Sequence, residues 1–240
     1  MPYIENTYIK EVTHIGFLDG VENRKPSLDG GGISVTTKPE SWRSIKGLNG
    51  PEFTLIFPTA QWVDAMTFGD DDIEDIKNWA VKEGYLRETT AWFAVVASDH
   101  EAEVKIFATQ EEAARAIGRT LDEEILAISN GHGGTWADPT FKITPRGMKQ
   151  LERWPGNMVQ WEQAAISLYI RKVVVPKRPY VVGIWWSEPD NVEAGCAPSG
   201  ILFPERLHLF EVEDEEGEVM SFNEKFPDFN APVDPLVAYA

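Results

Sequence analysis

Tyr180-Val-Val-Gly-Ile-Trp-Trp-Ser-Glu-Pro-Asp190, answered by Ala197-Pro-Ser-Gly-Ile-Leu-Phe-Pro-Glu-Arg-Leu-His-Leu-Phe-Glu-Val212, is the stretch on which the fold of this chain turns. Each half carries an apolar run of the length expected for a buried strand. The polar link between them holds Pro189, Asp190, Asn191 and Gly195, residues that favour turns over regular structure. An ordered link of this length loses backbone entropy, so its presence between two buried strands points to a task; the plainer reading is a hairpin with a long connection.

Immediately upstream, Gln160–Arg171 reads as a helix, and Lys172-Val-Val-Val-Pro176 ends in proline before the central stretch begins. Pro145–Trp154 predicts a further helix, while Asn130–Arg146 reads as a glycine-rich loop around His132, Trp136 and Asp138. Thr109-Gln-Glu-Glu112 predicts a capped helix start, because Thr109 can accept from the backbone while Glu112 reaches back. Trp92–Ala97 and Glu103–Ala108 predict a hairpin with His100 at its tip, and Asp71–Glu83 a helix stopped by Gly84.

Toward the start of the chain, Tyr8–Phe17 predicts one strand containing His14. A loop with Asp19-Gly20, Lys25-Pro26 and Asp29-Gly-Gly-Gly32 separates it from Ile33-Ser-Val-Thr-Thr37. In that second strand Ser34 and Thr36 share one face. A helix opens at Pro39, and Phe53–Phe57 predicts a strand ended by Pro58. The glycine spacing matches no phosphate-binding loop.

Composition bounds the function classes. The chain has 240 residues and a hydrophobic share of 42%, enough for a substantial core in one domain, with residues 50–170 as an elaboration of it. Asp and Glu total 39 against 22 Lys and Arg, a net charge of −17. Such a field repels phosphate backbones, so no direct nucleic-acid binding is expected, whereas a protein partner with a basic surface is attracted. Simple solubility also accounts for the charge. No apolar run has the length of a membrane span, and Met1-Pro-Tyr-Ile-Glu5 lacks the basic start of a secretory signal. Cys196 is the single cysteine, which excludes an internal disulfide and fits a cytoplasmic setting.

The four histidines form no helical pair suited to zinc, and Asp70-Asp-Asp72 lacks the ligand spacing of a calcium loop, so no metal is expected. Pro198-Ser-Gly200 lacks the preceding glycine of a hydrolase elbow. Cys196 and His208 can be drawn as nucleophile and base, but a lone cysteine is ordinarily a small buried hydrophobe. Of Trp185 and Trp186, alternation sends one ring into the core and the other outward, toward a ligand or an interface.

Three fragments in order, Thr13-His14-Ile-Gly16, Ser34-Val-Thr36-Thr37 and Gly183-Ile-Trp-Trp186 with Ser199-Gly-Ile-Leu-Phe-Pro204, resemble the ADP-ribosyltransferase-like superfamily. The resemblance covers both ends of the chain and leaves most of residues 50–170 aside. It implies an α+β fold with a split β-sheet, elaborated by helices. It also implies NAD as substrate, positioned by His14 and Ser34 with support from Thr36, while Ser199 can hydrogen-bond a ribose. Trp185 is a further cofactor-binding candidate, able to stack on a base or nicotinamide ring. Ser199 stands where the family carries its catalytic glutamate, and serine offers no negative charge to an oxocarbenium-like transition state. Three expectations follow: Glu188 or Glu193 takes over that role, the chain binds a nucleotide without transferring it, or the fold serves a protein contact alone. NAD-dependent ADP-ribosyl transfer is the leading expectation. A non-catalytic acidic inhibitor of a basic partner, of the virus-encoded or immunity type, is the alternative.

Overall fold

The computed structural model describes residues 2–16, 18, 32–46, 50–97, 102–117, 135–151, 161–186, 198–227 and 229. They form a mixed α+β architecture whose strands fall into three sheets. The strands are β1 (Asn6–Tyr8), β2 (Glu11–Ile15), β3 (Ile33–Val35), β4 (Glu52–Ile56), β5 (Gln61–Asp64), β6 (Leu86–Ala97), β7 (Ala102–Phe107), β8 (Thr135–Ile143), β9 (Val181–Trp185), β10 (Gly200–Leu202), β11 (Glu211–Glu213) and β12 (Val219–Ser221). The helices are α1 (Pro39–Lys46), α2 (Asp70–Lys82), α3 (Gln110–Ala116), α4 (Pro145–Leu151), α5 (Trp161–Tyr169) and the short α6 (Phe222–Lys225).

The central sheet runs β1-β5-β9-β10-β3, and β9 and β10 are antiparallel with Gly200 opposite Trp185. A second sheet, β12-β11-β4-β2, lies against one of its faces. Val12, Leu55 and Val212 from that sheet meet Val35, Trp62, Val182, Trp185 and Leu202 from the central one, all shut off from water. The opposite face of the central sheet carries Val63, Val181, Ile184 and Phe203, which α2 and α5 cover with Ile76, Ala80, Ala164 and Leu168. The result is sheet on sheet on helices, with apolar burial on both faces of β9. The third sheet, β7-β6-β8, joins the helical layer through Leu86 and Ile143.

Local chemistry explains the element ends. Thr109 accepts from the backbone N–H of Glu112, and Glu112 accepts in turn from that of Ala108. Asp72 takes the N–H of Gly69 ahead of α2, and Gly84, at φ 72°, turns the chain out of the helix. After α5 the chain widens into a π-helical turn over Ile170–Val174.

Two sequence expectations are corrected. Tyr8–Phe17 is not one strand: β1 pairs in the central sheet, the chain turns at Ile9 and Lys10, and β2 pairs with β4 in the other sheet. The segment read as loop around Trp136 and Asp138 is β8 instead, antiparallel to β6. Pro139, opposite Thr90, lies on an edge strand, the place in a sheet where proline is tolerated.

Among the described residues, no helix is long and apolar enough to cross a membrane.

Candidate functional site

The central and second sheets are joined at one seam, where β3, an edge strand of the first, meets β2, an edge strand of the other. Thr13 and Thr36 exchange both backbone hydrogen bonds across it, at 2.7 and 2.9 Å. Beyond β3, Gly200 pairs with Val35, so Ser199 falls beside Thr36, and the Trp186 N–H donates to the Ser199 carbonyl at 3.0 Å. Thr13, Thr36, Ser199 and Trp186 therefore lie in a row across four neighbouring segments, although they come from both ends of the chain.

Thr36 is fully buried, and its hydroxyl does two jobs. It donates to the Pro198 carbonyl at 2.5 Å and accepts from the Lys38 N–H at 3.0 Å. The hydroxyl therefore fixes the backbone just before Ser199 and the entry to α1. Ser34 and Ser199 themselves are partly exposed.

His14 stands next along β2, with Nδ1 2.9 Å from the Ser34 carbonyl oxygen. A carbonyl can only accept, so Nδ1 carries the proton and the neutral ring keeps Nε2 as an acceptor. Burial lowers the His14 pKa below its ordinary 6.5, and the bond to Ser34 opposes that shift only in part. The imidazole is therefore neutral at pH 7.

Gly16 completes this corner, and it is the residue the sequence reading left without a role. Its φ of 138° is one that side chains rarely adopt, and a Cβ there would lie 3.2 Å from His14 Nε2. With no side chain on Gly16, that residue does not crowd Nε2, which has no hydrogen-bond partner among the described residues. The available signal was the glycine directly following the strand in Thr13-His14-Ile15-Gly16.

Trp185 does not present a ring to a ligand. It is 0% exposed and meets Trp62 edge to face at 5.5 Å, so its expected place in the site is corrected to a core role. Trp186 is the partly exposed member of the pair, and its buried Nε1 has no hydrogen-bond partner among the described residues. Glu188 and Glu193 lie outside the described residues, as do His100, His132 and Cys196. The segments flanking the two glutamates, Trp186 on one side and Pro198-Ser199 on the other, are both fastened at the seam.

His14 gives the site a pH signature. Its folded pKa is depressed, so the unfolded chain binds the extra proton in the window from about pH 6.5 downward. Stability conferred by the neutral ring is fully present above that range and is lost as pH falls through it, with a slope of at most about 1.4 kcal/mol per pH unit. Urea midpoints at pH 7.5 and 5.5 should fall further for the unmodified protein than for His14→Gln. Identical pH dependence in both would contradict a desolvated His14.

Among the described residues, no three His, Cys, Asp or Glu side chains are grouped so as to hold a metal ion. No protein-family model, no curated protein and no solved structure matches this chain.

Proposed function

We propose that this chain binds NAD at the seam between β2 and β3 and transfers ADP-ribose from it, as an ADP-ribosyltransferase-like protein with a split-sheet core. The observation that carries the reading is the convergence of His14, Ser34, Thr36 and Ser199, from distant parts of the sequence, on neighbouring strands of two sheets. A neutral imidazole whose Nε2 accepts, beside a Gly16 that carries no side chain, suits a ribose hydroxyl, which can donate. Ser34 and Ser199 add hydroxyls able to donate or accept, and Thr36 holds the backbone that carries Ser199.

In the reaction, the bond between the ribose anomeric carbon and the nicotinamide nitrogen breaks, and nicotinamide leaves with the electron pair. A nucleophile then forms a bond to the same carbon and gives up its proton. The sugar passes through an oxocarbenium-like state that a nearby negative charge stabilises. Ser199 lacks that charge, so the proposal assigns it to Glu188, or to Glu193, between the fastened ends at Trp186 and Pro198. Pro189 restricts the backbone next to Glu188, which favours the first of the two.

Mass spectrometry of nicotinamide release and of ADP-ribose addition provides the test. Glu188→Gln is expected to keep NAD affinity and to lower turnover about 100-fold or more, roughly 2.7 kcal/mol of transition-state stabilisation. Equal turnover removes Glu188 from the mechanism and moves the assignment to Glu193. NAD binding without nicotinamide release in the unmodified protein supports nucleotide binding alone. Absence of NAD binding, combined with capture of one basic protein released by salt, supports the acidic-inhibitor reading, for which the exposed Asp70, Asp71, Glu74 and Asp75 of α2 supply charge.

A further inference from the structure

The floor beside His14 Nε2 is held from behind. Arg43, on α1, donates through Nε and Nη2 to Glu52 Oε2 at 3.2 and 3.0 Å. The same guanidinium reaches the Gly50 carbonyl at 3.4 and 3.3 Å. Gly50 has φ 154°, and a Cβ on it would lie 3.2 Å from the Gly16 Cα, so the two backbones are in direct contact. The Gly16 N–H donates to the Pro51 carbonyl at 2.9 Å, and Ile15 pairs with Glu52 in the β2–β4 ladder. An unbroken series of contacts therefore runs from Arg43 through Gly50 to Gly16 and on to the space facing His14 Nε2.

We infer that Arg43 is a positioning residue: its fork on Glu52 and Gly50 presses the Gly50 backbone against Gly16 and so sets the width of the opening onto His14 Nε2. This rests on the reading of that opening as the ribose site. Charge alone does not do the job, because the planar guanidinium bonds a carboxylate and a carbonyl at once, which an ammonium matches poorly. Gly50 and Gly16 are both required without side chains, since a methyl on either would enter the contact or the opening.

The experiment has two arms, read on Arg43→Ala and Arg43→Lys. In the first, amide hydrogen exchange is followed at Gly16 and, for reference, at Val12 and Val63. Arg43→Ala should speed exchange at Gly16 by about tenfold or more with little change at the reference amides, and Arg43→Lys should recover part of the protection. Uniform acceleration at all three positions, or none, overturns the inference, since a merely structural role moves the whole domain together. In the second arm, titration with NAD should show Arg43→Ala raising the dissociation constant about tenfold, with Arg43→Lys in between. Unchanged NAD affinity together with a loosened Gly16 also overturns it. Absence of NAD binding by the unmodified protein defeats the proposed function instead, and the exchange arm then decides the contact series alone.

Discussion

Trp185→Ala is expected to lower the unfolding free energy by about 3–5 kcal/mol, a large part of the roughly 5–15 kcal/mol that a domain of this kind possesses. Trp185 is fully buried between the central and second sheets, against Trp62. The surrounding backbone is cut to fit the two rings. A Cβ on Gly200 would come within 2.3 Å of the Trp185 ring, and one on Gly183 within 2.7 Å of Trp62. Truncation leaves a cavity that a sheet pinned on both faces cannot close. Trp185→Phe should stay within about 1.5 kcal/mol, because it keeps most of the ring volume and removes an indole N–H that has no partner among the described residues. Urea unfolding measures both. A midpoint unchanged by Trp185→Ala would contradict the core assignment.

Glu205→Ala carries the second large effect, about 3–5 kcal/mol, because it strands a buried guanidinium. Arg171 donates to Glu205 through two parallel bonds, at 2.7 and 2.9 Å, with each side chain only 9% exposed. Its remaining terminal nitrogen reaches the Gln150 carbonyl at 3.2 Å, and the guanidinium lies 5.7 Å from the centre of the Phe203 ring. The pair ties the π-helical turn after α5 to the chain leaving β10, the strand that Ser199 directly precedes. Arg171→Met with Glu205→Leu should lose far less than either truncation alone, since an apolar pair needs no mutual compensation. A double-mutant cycle with additive losses would refute the coupling.

The parts of this fold legible in the sequence were those decided locally. Thr109 and Glu112 fixed a helix start, Gly84 a helix end, and the runs at Val181–Trp185 and Gly200–Leu202 a pair of buried strands. What escaped was decided at long range. Nothing local distinguishes one strand through residues 8–17 from two strands feeding different sheets, because both alternate. β5 is only Gln61–Asp64, and its strand state is set by pairing in parallel with β9, far along the chain. Alternation also could not say which tryptophan points inward. Between Gln61 and Trp62 the pairing register slips, leaving Val182 as an extra residue on β9. Val181 and Trp185, which a regular strand would place on one face, consequently enter opposite cores. Of the candidate site, His14, Ser34, Thr36 and Ser199 were named through the resemblance, and the structure puts them on or beside neighbouring strands. The roles proposed for Gly16 and Arg43 were not legible, because they depend on an absent side chain and on a contact made through another glycine.

Titration calorimetry with NAD tests the central claim most directly, using the unmodified protein beside His14→Ala. The account predicts saturable binding by the first and a loss of about 1–3 kcal/mol in the second, the range for leaving a buried polar partner unpaired, with His14→Ala still cooperatively folded at pH 7.5. No saturable binding by the unmodified protein, or equal affinity in the two, would contradict it.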